Sequence, residues 1–105
     1  MSVKEATLVV TEQRTRVAPR WNVILMNDDD HTYPYVIGML RRLFGMSETD
    51  ARLRAKEVDR TGRVILLTTS REHAELKQEQ IQAEGPDPLV ARCAGPMSAI
   101  VEPAP

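Results

Sequence analysis

Apolar and polar residues alternate in blocks along this chain, and the blocks differ in period. Trp21 to Met26 is apolar apart from Asn22 and rich in β-formers, which predicts a buried strand. The short polar side chains of Asn27, Asp28, Asp29 and Asp30 favour a turn there. A helix is expected from about Thr32, with Pro34 tolerated in its first turn. Its apolar positions, Tyr33, Val36, Ile37, Leu40, Leu43 and Phe44, recur at spacings of three and four, and Gly45 ends it.

Ser47 followed by Asp50 reads as a capping box for a second helix. Its thin stripe is Ala51, Ala55 and Val58, and Gly62 suits the position beyond its end. Arg63 to Thr69 predicts a second strand. Ser70 suits the cap of a third, largely solvated helix running to about Glu84 and stopped by Gly85-Pro86. Leu89 to Cys93 reads as a third short strand. The order strand, helix, helix, strand, helix, strand suits an α+β fold, a small two-layer sandwich of a three-stranded sheet and three helices. Residues 1–19 read as a flexible N-terminal extension, 20–94 as the core domain, and 95–105 as a Pro-rich C-terminal tail in which Ile100 and Val101 dock weakly.

Composition narrows the function. In 105 residues, 14 Lys and Arg balance 15 Asp and Glu, so the basic excess of a general nucleic-acid binder is missing. No apolar stretch approaches the roughly 18 residues of a membrane span. The N-terminus lacks the pattern of a secretory signal. A single cysteine, Cys93, excludes an internal disulfide and a multi-cysteine zinc site, and its apolar surroundings predict a buried, inert thiol. These features point to a reduced, cytoplasmic protein.

The densest chemistry lies at Asn27, Asp28, Asp29, Asp30 and His31. Three readings fit: a turn with acids at a helix N-terminus, a hard-cation site at Asp28, Asp29, Asp30 and His31, or a site whose oxygens converge on an amine. Nothing pairs His31 or His73 with a nucleophile, so no enzyme is expected, and no cofactor-binding or phosphate-binding motif is present. The basic cluster Arg52, Arg54, Lys56, Arg60 and Arg63 reads as a solvated face or a contact for an acidic partner.

The run Trp21–Asp29 (WNVILMNDD) followed by His31–Ile37 (HTYPYVI) resembles the opening of the ClpS family. The likeness continues through Val36 to Phe44, and at Val58, Gly62 to Val64, Glu72 to Lys77, and Pro88 to Val90. It covers about residues 20 to 92. The resemblance implies the βααβαβ fold shared with the C-terminal domain of the ribosomal stalk protein. It also implies an adaptor that delivers N-degron substrates, proteins beginning with Leu, Phe, Tyr or Trp, to the Clp AAA+ unfoldase and protease.

Carried over residue by residue, the family's amine-binding pair matches Asn27 and Asp28, and the acid at the pocket mouth matches Asp29. The apolar wall matches Leu25, Val36, Val58 and Leu89. This chain departs from the family at four positions. Asp59 stands where a His acceptor for the amine is usual, and is expected to replace it. His31 stands at the threonine of the mouth, Tyr33 at the gatekeeping methionine, and Ala55 at a second pocket methionine. Docking to the N-terminal domain of the unfoldase is implied at Glu72 and Lys77. The departures leave open an alternative, a docking modulator that has lost N-degron binding.

Overall fold

A computed structural model describes residues 18–105, so most of the expected N-terminal extension, residues 1–17, lies outside the described residues. The elements are β1 (Trp21–Met26), α1 (Tyr33–Phe44), α2 (Glu48–Thr61), β2 (Arg63–Thr69), α3 (Arg71–Gln82) and β3 (Ala99–Pro103). This is the expected βααβαβ order. The sheet runs β2-β1-β3 with both pairings antiparallel, so the most apolar strand is central. No helix among the described residues is long and apolar enough to cross a membrane.

Each helix begins and ends for a local reason. Thr32 Oγ1 accepts from the Tyr35 N–H, Ser47 Oγ from the Asp50 N–H, and Ser70 Oγ from the His73 N–H, each relieving an orphan donor of the first turn. Gly45 (φ 65°) and Gly62 (φ 92°) adopt the left-handed conformation that terminates α1 and α2. Val23 and Leu25 on β1 meet Val36, Leu40, Ala55 and Val58 from the helices in one buried cluster. The small alanines let α2 approach closely.

The third strand differs from expectation. Leu89 to Cys93 forms two tight turns, closed by Val90 N–H to Asp87 O (3.2 Å) and Cys93 N–H to Val90 O (3.0 Å). The strand instead is Ala99–Pro103, inside the segment expected to be a tail. The register explains it: Ala99, Ile100 and Val101 pair with Leu25, Ile24 and Val23, along the whole apolar length of β1. The Leu89-Val90-Ala91 run is too short to compete, and Arg92 interrupts it. Pro103 is tolerated because it ends an edge strand.

Asp87 decides the geometry of residues 83–98, which link α3 to β3. Its side chain is buried (2% exposed). Oδ2 accepts from the Thr32 N–H (2.6 Å) and the Thr32 hydroxyl (2.8 Å), and Oδ1 accepts from the Leu89 N–H (2.9 Å). Burial pushes its pKa upward. The Thr32 and Leu89 amides, the Thr32 hydroxyl and the nearby His31 outweigh that and hold it below 3.8.

Replacing Asp87 by Ala strands three donors, and is expected to lower stability by about 2–4 kcal/mol in urea unfolding. Because the folded-state pKa is depressed, this stability is present above pH 3.8 and is lost as pH falls through the lower native value. Asp87→Ala should therefore weaken the acid dependence of unfolding. An unchanged acid limb would show that Asp87 does not carry it.

Candidate functional site

The turn after β1 is built by the Asp28 side chain. Asp28 Oδ1 accepts from the Asp30 N–H (2.9 Å), the local bond that closes an Asx turn. Both carboxylate oxygens also face Nδ1 of His31, at 2.7 and 2.9 Å. His31 Nε2 lies 2.9 Å from the Gly95 carbonyl, and the ring packs 4.7 Å from that of Tyr35. The imidazole is only 3% exposed, while Asp28 keeps 34% of its surface. Asn27 is exposed and its N–H donates to Gly62 O (3.0 Å), which ties the turn to the end of α2.

Asp59 lies on the last turn of α2, three residues before Gly62. Its Oδ2 accepts the Tyr33 hydroxyl (2.8 Å), a bridge between the start of α1 and the end of α2. The hydrogen bond to Asp59, then desolvation, then the Asp59 charge raise the Tyr33 phenol above 10.0. Tyr35 is a different case. Burial foremost, with the negative charge of Glu84, Cys93 and Asp87, pushes its phenol to about 12, and it donates to Gly85 O (2.7 Å).

Three of the four predicted wall residues, Leu25, Val36 and Val58, fall in the buried cluster, as does Ala55. Leu89 does not: it is 67% exposed in the turn after Asp87. Met97, 2% exposed, joins that cluster instead, just before β3. The expected tail hid Met97. Its signal was the alternation Met97, Ala99, Val101, which is a strand's period.

Asp29 is exposed, and its carbonyl accepts from Arg92, whose guanidinium also pairs with Asp30 (2.6 Å). Asp30 thus faces a guanidinium and Asp28 the His31 ring, and among the described residues no three His, Cys, Asp or Glu side chains converge as metal ligands. Cys93 lies in a turn and not in a strand, and is only half-buried. Its Sγ accepts the Asp87 N–H (3.2 Å) and lies 3.4 Å from His31 Nε2. In the basic cluster, Arg52, Arg54 and Arg63 pair with Glu48, Glu57 and Glu102.

On α3, Glu72 is exposed in the first turn. Lys77 is partly buried. Its ammonium donates to Leu43 O at the end of α1 and sits 5.3 Å over the Phe44 ring. It caps a helix C-terminus, whatever else it contacts.

The fold and this acidic turn define a class, the adaptors of the ATP-dependent Clp protease. The chain belongs to the ClpS family: the profile of the ATP-dependent Clp protease adaptor protein ClpS matches residues 16–92. A ClpS of Hydrogenovibrio crunogenus is 36% identical over 76 residues, 70% of this chain and 73% of that protein. A ClpS of a Ruegeria species is 34% identical over 74 residues, and the chain spans 66% of its length. Agrobacterium tumefaciens ClpS2, solved with L-phenylalaninamide bound, superposes with a TM-score of 0.69 at 26% identity, covering 83% of this chain and 99% of that one.

The Tyr33–Asp59 bridge is testable by spectrophotometric titration, since the chain has two tyrosines. Both phenols should ionise above 10.0. Because the native Tyr33 pKa is raised, the bridge's contribution is complete below that value and is lost as pH rises through the native one. Asp59→Asn should return one transition toward the ordinary value and leave the other in place. Two unchanged transitions would disprove the bridge.

Proposed function

We propose that this protein is a non-enzymatic, cytoplasmic adaptor that captures proteins with a free, bulky apolar N-terminal residue and hands them to a Clp AAA+ unfoldase. The observation that carries the reading is the position of the acidic turn. Asn27, followed directly by Asp28, is tied by its N–H to Gly62 O just past the end of α2, three residues after Asp59. Leu25, on the strand leading into the turn, joins Val36, Ala55 and Val58 in the buried cluster. An α-ammonium needs anionic or amide oxygens for its charge and its three protons. Asn27, Asp28 and Asp59 supply them. The first side chain enters against Leu25, Val36, Ala55 and Val58, with Met97 taking the place expected of Leu89. Asp29, His31 and Tyr33 frame the mouth. The ClpS2 neighbour, bound to an amino-acid amide with a free α-amine, supports a ligand of this kind.

The test is fluorescence anisotropy with labelled peptides that differ only in the first residue, each free and acetylated. Free Leu, Phe, Tyr or Trp peptides should bind and their acetylated forms should not. Asp59→Asn should weaken free-peptide binding roughly 10- to 100-fold, the size of one hydrogen bond to a charged group. Equal binding of free and acetylated peptides would refute amine recognition.

One observation favours a second reading, a docking modulator without substrate recognition. Both carboxylates proposed for the amine already hold protein donors, Asp28 the His31 ring and Asp59 the Tyr33 hydroxyl. Silence across the peptide series with intact unfoldase binding would favour it. Docking on the unfoldase N-terminal domain is assigned to α3 through exposed Glu72, with Lys77 at the margin. Glu72→Lys should abolish co-elution with that domain and leave peptide affinity within about twofold. Loss of both, in a folded variant, would place docking and capture on one surface.

A further inference from the structure

The Asp28 carboxylate faces a histidine ring whose two nitrogens both meet oxygen acceptors. A neutral imidazole has one donor nitrogen and one acceptor nitrogen. Here Nδ1 of His31 faces the Asp28 carboxylate at 2.7 and 2.9 Å, and Nε2 faces the Gly95 carbonyl at 2.9 Å. Both partners only accept. Either neutral tautomer would set a nitrogen lone pair against an oxygen lone pair. The Cys93 thiol, 3.4 Å from Nε2, does not resolve this, because Gly95 O would still oppose that nitrogen. The doubly protonated ring satisfies both sides. Among the described residues, the other titratable groups against it are the Cys93 thiol, the Asp87 carboxylate, which feels the His31 charge, and the Tyr35 phenol, whose ring packs against it from α1.

We propose that the His31 proton and a ligand's α-ammonium are alternative occupants of Asp28, so that capture of an N-terminal residue releases a proton from His31. This rests on the adaptor reading above. The His31 ring is 3% exposed, so water screens its charge poorly, while Asp28 is open at 34%. An ammonium arriving at Asp28 meets a second cation on the same carboxylate. Loss of the Nδ1 proton to solvent removes the conflict and exchanges one cation for another. The ammonium, with three donors, lies between the freed Nδ1 and Asp28, so that no lone pairs are left opposed. The Nε2–H keeps donating to Gly95 O, so the 83–98 segment keeps its anchor while Asp28 turns to the ligand. His31 is in this sense a positioning residue for the amine site.

The experiment is isothermal titration calorimetry of the full chain with a free Leu-initiated peptide, between pH 5 and 7, in buffers of different ionisation enthalpy. The peptide amine, near pKa 8, stays charged throughout. Between about half and one proton should leave per peptide bound, and affinity should weaken as pH falls, by up to about tenfold per unit. The His31→Asn variant keeps a donor toward Asp28 but has no titrating proton, and should bind without release. This also separates His31 from His73, the other histidine. Ring NMR signals of His31 in the native chain give a readout independent of the variant: they should move from the charged toward the neutral form as peptide saturates. Binding with buffer-independent heat and unmoved ring signals overturns the proton exchange alone. No binding of the free peptide overturns the exchange and the adaptor reading together.

Discussion

The Asp87 carboxylate, buried behind the start of α1, sets the geometry on which the rest of the site depends. It takes both the N–H and the hydroxyl of Thr32, the N-cap of α1, and so fixes the residue at which the acidic turn stops and the helix begins. The same carboxylate takes the Leu89 N–H and bends the chain after α3 back over that turn. A buried anion without partners is strongly unfavourable. With three donors it becomes a directional clamp that no apolar side chain of the same size reproduces.

Everything at the mouth of the site is arranged from that clamp outward. With Thr32 fixed, His31 faces Asp28 on one side and Gly95 on the other, and Tyr33 begins α1 where its hydroxyl reaches Asp59. The two carboxylates proposed for the amine are thereby oriented before a ligand arrives. Such preorganisation lowers the ordering needed on binding. It also means that a ligand must compete with donors already in place. The competition differs at the two sites. Tyr33 occupies one oxygen of Asp59 with a neutral hydroxyl, so the other oxygen and the full charge remain for the ligand. His31 faces both oxygens of Asp28.

The order of elements, the central strand and the helix caps were legible because each depends on local signals: apolar period, a Ser or Thr cap, a glycine past the end. Asp28 was singled out by its match to the family pattern and Asp59 by its departure from it. Their partners were not. The His31–Gly95 contact spans 64 residues and Tyr33–Asp59 spans 26, and no local rule reports a hydrogen bond between such distant positions. The third strand was misplaced for a related reason. Leu89 to Cys93 is locally more apolar than its proline-rich neighbours, yet strand formation is decided by whether a segment finds a partner in register. Of these two segments, Ala99–Pro103 is the one that lies opposite β1, on the side away from β2.

Residues 83–98 carry no helix or strand, and a loop of this length in so small a domain is usually functional. Here it is not loose. Tyr35 holds Gly85, Thr32 holds Asp87, Asp29 and Asp30 hold Arg92, and His31 holds Gly95. These anchors all arise between Asp29 and Tyr35, the stretch that forms the mouth of the candidate site. Any event that moves the acidic turn is therefore felt along the whole segment and, through the Met26 N–H on Ser98 O, at the start of β3. Met97 sits between the last anchor and that strand, with its side chain in the apolar wall. The segment thus joins the acidic turn to the buried apolar cluster in one stretch of chain, so that the amine and side-chain recognition proposed above share a single mechanical constraint.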